Sequence, residues 1–354
     1  MAPAPRCYAG GVRGALVPAA VVALAGCGVP NHHLVHPRAP AADVVTWAAD
    51  FERDGLRLHV EGARPACGGP FPAVLVHPEG GKTSAAMHGV LWDLAARGYA
   101  ALAADYRRRL RGAWRRNVFP WRSPADARML LDATRACPEV DPVRIGALGF
   151  SQGAVLSLLM AAHAPDRVRA VVAYYPVTDF PHWFARRRGT LAGLGWRVVR
   201  WWFRRESGAR SDAEFDAVLR HASPWYAAEA IRAPVLLVHG ARDAVAPVEE
   251  SERMAARLAA AGGTVELLVA EDGVHLFNFR QATPAARAWD ATVSWLDRWV
   301  RDGPRARAAA IAAGAAAIAG DARRDACRRG RTPVAPGLLP TGPECSQSRP
   351  RIRR

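Results

Sequence analysis

Residues 143–164 read VRIGALGFSQGAVLSLLMAAHA and place the motif G-F-S-Q-G, residues 149–153, between two apolar runs. The first run, 143–150, predicts a buried strand, and the second, 151–164, predicts a helix. Glycine weakens both kinds of element, so a glycine on each side of one serine indicates a backbone that turns sharply there. A G-x-S-x-G motif between a strand and a helix is typical of a nucleophile elbow, which holds a serine hydroxyl on a strained turn.

Strand-like and helix-like patterns alternate along most of the chain, and the strands are continuous apolar runs. Strands are predicted near 43–49 and 56–61 and at 72–78, 99–106, 143–150, 168–176, 233–240 and 264–271. Helices are predicted at 83–98, 123–136, 151–164, 249–262 and 283–300. This pattern predicts an α/β fold with a mostly parallel central sheet and helices on both faces.

Two residues suit the chemistry that an elbow serine needs, namely a base and an acid that orients it. An elbow predicts the chain order serine, acid, histidine. Asp243 follows the strand at 233–240, and His275 follows the strand at 264–271. Both lie at the carboxyl ends of their strands, the sheet edge where such folds place their sites. We expect Ser151, Asp243 and His275 to be catalytic; ordinary loop roles for the last two are the alternative.

Three other residues near this edge are weighed against those candidates. Glu271 and Asp272 are rival acids, but they adjoin His275 in sequence and are poorly placed to reach it across a site. His239 precedes a glycine turn instead of standing in the loop, so we expect it to be structural.

Acyl transfer also needs N–H donors for a developing oxyanion. One is expected to be the backbone N–H of Gln152, the residue after the serine. The other is expected from the loop after the strand at 72–78. Pro78 has no N–H, so Glu79 is the first candidate and Gly80 the second; a plain tight turn is the alternative.

Five stretches carry a family resemblance: VLVHPEGG, GYAALAADYR, DPVRIGALGFSQGA, ASPWYAAEAIRAPVLLVHGARDAVAP and EDGVHLFNF. From about residue 45 to 302 the chain resembles α/β-hydrolases of the dienelactone hydrolase and prolyl-oligopeptidase-like esterase group. The resemblance implies Ser151 as nucleophile, His275 as base and Asp243 as its partner. It departs where many relatives have His-Gly and this chain has His-Pro, and where dienelactone hydrolases proper use cysteine.

The function implied is cleavage of a small-molecule carboxylic ester through an acyl-enzyme, with no metal or organic cofactor. One alternative is a peptidase of the same group, although such peptidases usually carry a propeller domain that residues 28–45 cannot hold. Another is a non-catalytic lipoprotein that uses the fold for binding. The complete set of three catalytic residues argues against this second alternative. The sequence leaves the oligomeric state open.

The N-terminus predicts export. Residues 1–26 have a basic start and an apolar segment, ALVPAAVVALAG, followed by Cys27. Leu24-Ala25-Gly26-Cys27 resembles a bacterial lipobox, which implies a lipid on Cys27 and anchoring to a membrane surface of the cell envelope. An ordinary secretory signal and an Ala-rich start without function are the alternatives.

The remaining boundaries follow from composition. Residues 27–42 predict a linker, 43–302 an α/β-hydrolase domain and 303–354 a disordered basic tail. An insertion at 180–222, rich in Trp and Arg, is a candidate cap or lid, and it also suits contact with lipid headgroups. The alternative is a helical excursion that packs its tryptophans on the main domain.

The net charge of +16 raises the question of a nucleic-acid partner. Half of that excess lies in the tail, and Lys82 is the only lysine, which is typical of an Arg-biased coding sequence. No zinc-finger spacing or RNA-binding motif is present, so no nucleic-acid partner is expected.

In an α/β-hydrolase fold, the strands that follow Cys67 and Cys137 are parallel neighbours. Both cysteines then lie near one sheet edge. In an exported protein this makes a Cys67–Cys137 disulfide the expectation, with two free thiols as the alternative.

Overall fold

A computed structural model describes residues 43–53, 56–106, 123–186 and 193–303. Its eight strands are β1 (Val44–Arg53), β2 (Leu56–Pro65), β3 (Phe71–His77), β4 (Ala100–Asp105), β5 (Val140–Phe150), β6 (Val171–Tyr174), β7 (Val235–Gly240) and β8 (Val265–Ala270). Its α-helices are α1 (His88–Ala96), α2 (Pro124–Ala136), α3 (Gln152–His163), α4 (Phe180–Ala185), α5 (Gly193–Ser207), α6 (Asp212–His221), α7 (Glu249–Ala260) and α8 (Ala282–Leu296).

The strands form one sheet in the order β1-β2-β4-β3-β5-β6-β7-β8. β1, β2 and β4 pair antiparallel, and every pair from β4 to β8 is parallel. The predicted mostly parallel sheet is therefore confirmed. Its register aligns the carboxyl ends, with His77 opposite Gly149 and Phe150 opposite Tyr174.

Helices cover both faces of this sheet because successive strand residues point to opposite sides. On β3, Ala73 and Leu75 pack in one buried cluster with α2, α3 and α7, while Val74 and Val76 pack in another with α1 and α8. A strand buried on both faces must be apolar at every position, which explains the continuous apolar runs.

The described parts of the insertion, residues 180–186 and 193–222, contain α4, α5 and α6. Asp179 caps α4 by accepting the His182 N–H, and Ser211 caps α6 by accepting the Glu214 N–H. The three helices bury a third apolar cluster against Val155 and Leu159 of α3. The alternative interpretation, in which the insertion packs its tryptophans on the main domain, holds for Trp183, which is 2% exposed. It does not hold for Trp201, which is 58% exposed.

The predicted Cys67–Cys137 disulfide is wrong. Cys137 is a free thiol in the core cluster beside α2, and its Sγ donates a hydrogen bond to Glu139 Oε2 at 3.0 Å. Cys67 lies on the exposed segment after β2 and forms a disulfide with a cysteine other than Cys137. Nearness to the same sheet edge did not determine the direction of either side chain.

The termini expected to form a lipoprotein signal, linker and tail, residues 1–42 and 304–354, lie outside the described residues, Cys27 included. Within the described residues, none of the helices has both the length and the apolar character needed to span a bilayer.

Cys137 is predicted to resist thiol reagents in the folded protein. Burial raises the pKa of its thiol, and the thiolate is the reactive form. Maleimide without reductant, followed by peptide mass spectrometry, should label the Cys137 peptide only after denaturation, and Cys137→Ser should remove that label. A Cys137 peptide cross-linked to a second peptide would contradict the assignment.

Candidate active site

Ser151 is the single residue between β5 and α3. Its backbone has φ 52° and ψ −114°, a left-handed conformation that costs about 1–3 kcal/mol for a residue with a side chain. Its N–H is held by the Tyr174 carbonyl at 2.9 Å. The chain therefore reverses from strand to helix within one residue, as an elbow requires.

The two glycines of the motif are required by close backbone contacts. A Cβ on Gly149 would lie 2.1 Å from the Gly153 carbonyl oxygen, and one on Gly153 would lie 2.0 Å from the His77 carbonyl oxygen. Neither distance is sterically possible, and the opposing atoms are backbone. Both glycines of the motif are therefore required, because any side chain at either position would block the turn.

The Asp243 carboxylate is held in one orientation by the loop that follows β7. Its Oδ1 accepts the N–H groups of Val245 and Ala246, both at 2.8 Å. Its Oδ2 lies 2.6 Å from His275 Nδ1. Because the side chain is buried, this carboxylate has a fixed direction and little contact with water.

His275 joins the carboxylate to the serine. Its Nε2 lies 3.1 Å from Ser151 Oγ, on the opposite side of the ring from Asp243. With Nδ1–H donated to the carboxylate, Nε2 is left as the acceptor of the serine O–H. The three residues, 92 and 32 positions apart in the chain, form one continuous hydrogen-bonded chain.

The acid and histidine loops touch through glycines. A Cβ on Gly240 would lie 2.2 Å from the Gly273 carbonyl oxygen, and that same oxygen accepts the Arg242 N–H at 2.9 Å. This crossing holds the residues after β7 against those after β8, which brings Asp243 within reach of His275.

Residues 83–303 match the prolyl oligopeptidase family, which is more than half of the chain. The protein belongs to this family of serine hydrolases. A Methylorubrum extorquens relative named "Putative carboxymethylenebutenolidase" is 29% identical over 254 residues, covering 67% of this chain and 75% of the relative. Esterase LipC of Mycobacterium tuberculosis is 29% identical over 241 residues, covering 62% of this chain and 57% of LipC.

Among solved structures, the acylaminoacyl peptidase of Pyrococcus horikoshii matches with a TM-score of 0.59 at 19% identity. The match covers 74% of this chain and 42% of that peptidase, so this chain spans less than half of the peptidase. At this identity the likeness concerns the fold, and the predicted α/β-hydrolase fold is confirmed.

In this prolyl oligopeptidase family member, the loop after β3 packs against the start of α3. The Cβ that Gly80 lacks would lie 2.7 Å from Gln152 Oε1, and the one that Gly153 lacks would lie 2.5 Å from the Pro78 carbonyl oxygen. Glu79 is 5% exposed. The structure therefore brings Glu79 and Gln152, the two expected oxyanion donors, into one neighbourhood beside Ser151.

Tyr175 is a site residue that sequence reasoning missed. It follows β6 with φ 41°, and its ring meets the His275 ring edge-on with the centroids 4.7 Å apart. Its hydroxyl donates to Asn278 Oδ1 at 2.6 Å. Burial, and next the Glu79 charge, raise the pKa of this phenol. In the sequence Tyr175 only ends an apolar run, so nothing there signals contact with His275.

Asp272 and His239 do not take the positions of Asp243 and His275, although His239 Nε2 lies 3.6 Å from Asp243 Oδ2. Asp272 is 70% exposed in its side chain and pairs with Arg242 at 2.7 Å. His239 is fully buried, with Nδ1 at 2.7 Å from Ser251 Oγ and Nε2 at 2.8 Å from the Ala246 carbonyl oxygen. Burial lowers the pKa of His239, so it stays a neutral support for the acid loop. Within the described residues no group of three His, Cys, Asp or Glu could hold a metal ion.

Gly153→Ala is predicted to destabilise the fold strongly, because the new Cβ meets a backbone oxygen at 2.0 Å. The expected loss is about 3 kcal/mol or more in the free energy of unfolding, measured with urea. The matched control is Gly208→Ala, where φ is +80° but no atom lies within 4 Å, and the loss should stay near 1 kcal/mol. Equal losses in the two variants would contradict the steric argument.

His77 is predicted to make stability fall in acid. It is fully buried beside Tyr106, and burial lowers its pKa from 6.5 to about 3. Between these two values the unfolded chain binds a proton that the folded chain does not, so stability falls as the pH drops through this window. The slope from one such group is about 1.4 kcal/mol per pH unit.

Urea unfolding of wild type and His77→Gln at about pH 6 and about pH 5 measures this slope. The variant should lose about 1.4 kcal/mol less than wild type between the two conditions. His239 is present in both proteins, so its contribution cancels. Parallel pH profiles would show that His77 does not carry the effect.

Proposed function

We propose that this protein is a serine hydrolase that cleaves carboxylic esters with Ser151, His275 and Asp243. The observation that carries the proposal is the unbroken hydrogen-bonded chain from Ser151 Oγ through the His275 ring to Asp243 Oδ2. An isolated serine hydroxyl is a weak nucleophile, and this arrangement gives it a base whose ring is held in the productive orientation.

In the proposed reaction, Ser151 Oγ attacks the ester carbonyl carbon while His275 Nε2 takes the hydroxyl proton. Asp243 stabilises the imidazolium ion that forms, without itself taking the proton. His275 then gives its proton to the leaving alcohol, which departs and leaves Ser151 acylated. Water, deprotonated by His275, attacks the acyl group and releases the acid and the free serine.

The oxyanion of each tetrahedral intermediate is assigned to the backbone N–H groups of Gln152 and Glu79. Gln152 is the first residue of α3, so its N–H lies at the positive end of the helix dipole. Glu79 contributes from the loop packed against that helix start. Only backbone donors are invoked, because they are pre-oriented and need no rearrangement as charge develops.

An ester substrate is favoured over a peptide by the names of the two curated relatives. A peptidase is the second candidate, favoured by the match to the prolyl oligopeptidase family and the likeness to acylaminoacyl peptidase. A non-catalytic binding lipoprotein is the third; the serine–histidine contact of 3.1 Å argues against it. Export and a lipid on Cys27 remain part of the proposal and place the enzyme at the cell envelope.

The test measures turnover of p-nitrophenyl acetate and butyrate, turnover of acylated peptide p-nitroanilides, and labelling by a fluorophosphonate probe. Ser151→Ala should lose labelling and at least roughly 10³-fold in ester turnover. Ser207→Ala, at a serine that bonds its own helix, is the control and should behave as wild type.

Two aspartate variants identify the acid. Asp243→Ala should lower ester turnover by about 10³–10⁴-fold, and Asp272→Ala should leave it near wild type. The reverse result would assign the acid to Asp272. A folded wild type that neither labels nor turns over any substrate would overturn the hydrolase proposal, and anilide turnover without ester preference would favour the peptidase.

A further inference from the structure

Helix α5 has two dissimilar faces. One face buries Val199 and Phe203, which are 0% and 4% exposed, in the cluster shared with α4 and α6. The other face exposes Val198 at 39% and Trp201 at 58%. Trp201 is the most exposed large apolar side chain among the described residues. A helix already packed on one side thus presents a second apolar ridge to solvent.

The arginines of α5 are divided in the same way. Arg200 pairs with Asp216 at 3.1 Å, and Arg204 pairs with Asp212 at 3.0 Å. Arg197 and Arg205 are exposed and form no ion pair with any described residue. The Arg205 guanidinium carbon lies 5.7 Å from the centre of the Trp201 ring. The uncompensated positive charge therefore sits beside the exposed tryptophan.

These residues share one face, here called the α5 face: Arg197, Val198, Trp201 and Arg205. Spacings of three and four residues place their side chains side by side along the helix. Tryptophan settles at the headgroup level of a bilayer, where its ring is partly apolar and partly polar, and valine reaches the acyl boundary. Arginine binds phosphate oxygens through its planar fork of N–H donors.

We propose that the α5 face binds the headgroup region of an anionic lipid bilayer. The combination of an apolar ridge with two arginines that have no acidic partner among the described residues matches a surface that is apolar below and negatively charged above. The proposal is independent of the serine chemistry, since no residue of the α5 face belongs to the candidate active site.

Two other occupants fit the face less well. A second copy of the chain would need roughly 800 Å² per partner, whereas Val198 and Trp201 together expose only about 200 Å². A nucleic acid would pair with the arginines, but its backbone offers Val198 no apolar surface. Both remain distinguishable outcomes of the experiment.

The test is co-sedimentation of the full chain carrying Cys27→Ser, which removes any lipid on that cysteine. Vesicles contain phosphatidylcholine alone or an equal mixture with phosphatidylglycerol. The parent should bind the mixed vesicles, and binding should weaken as salt is added. Adding Trp201→Ala should weaken partitioning about tenfold, because the variant lacks the exposed indole surface that the bilayer would bury. Adding Arg197→Gln and Arg205→Gln together should weaken it roughly 30-fold.

Matched controls distinguish binding through the α5 face from nonspecific adsorption to vesicles. Tyr226→Ala removes an aromatic residue that is 41% exposed and lies 5.0 Å from an arginine, Arg220. Arg167→Gln with Arg232→Gln makes the same charge change at two exposed ion pairs elsewhere. Both controls should bind vesicles as the parent does, and circular dichroism and esterase turnover should be unchanged in every variant.

Two results would overturn the proposal. The first is a parent that does not co-sediment with the mixed vesicles. The second is equal weakening in the arginine pair and its control, which would mean that net charge alone drives binding. In the first case, binding of the parent to DNA, or dimerisation through Trp201, would assign the α5 face to that partner.

Discussion

The contact between Gly153 and the carbonyl of His77 is the constraint on which the site depends. A Cβ at that position would lie 2.0 Å from the carbonyl oxygen, so the first turn of α3 is pressed directly onto the end of β3. Because His77 is also in register with Gly149, this contact determines where Ser151 stands relative to the loop that carries Glu79. Ser151 has its strained backbone at this same junction, and the doubly buried strands around it supply the stability that tolerates the strain.

A second close approach, between Gly240 and Gly273, determines the positions of Asp243 and His275 relative to each other. It brings two loops together that each follow a buried strand, and backbone N–H groups then hold one carboxylate oxygen so that the other faces His275. Neighbouring strands β5, β6, β7 and β8 are followed by Ser151, Tyr175, Asp243 and His275. The parallel register therefore gathers one group from each strand at one edge of the sheet.

The insertion is tied to this edge by buried polar contacts. Glu250 of α7 accepts the N–H groups of Thr178 and Asp179, both at 2.9 Å, just before α4 begins. Trp183 donates its indole N–H to the Val245 carbonyl at 2.9 Å, in the loop that holds Asp243. The inner side of the insertion thus supports the acid loop. Its outer side, the α5 face, remains available for the partner proposed above. The lid suggested by its length stays a prediction.

The sequence by itself determined all eight strands and the helices outside the insertion, the position of the elbow, and the identities of the three residues that meet there, whereas α4, α5 and α6 were not predicted individually. These features are local: continuous apolar runs report strands buried on both faces, and a glycine pair reports a turn with no room for Cβ. Element ends were less accurate, since β5 begins at Val140 instead of 143 and the predicted helix at 83–98 starts with a 3₁₀ turn, Ser84–Met87.

Only the tertiary structure decided what depends on side-chain direction and on packing between distant segments. Cys137 lies at the expected sheet edge but points into the core, so no disulfide joins it to Cys67. Tyr175 contacts His275 although they are 100 residues apart in sequence. Trp183 and Trp201 belong to one Trp-rich stretch, yet one is buried and the other exposed. Composition cannot distinguish the two tryptophans. The packing of α4 and α5 on α3 is what buries one and exposes the other.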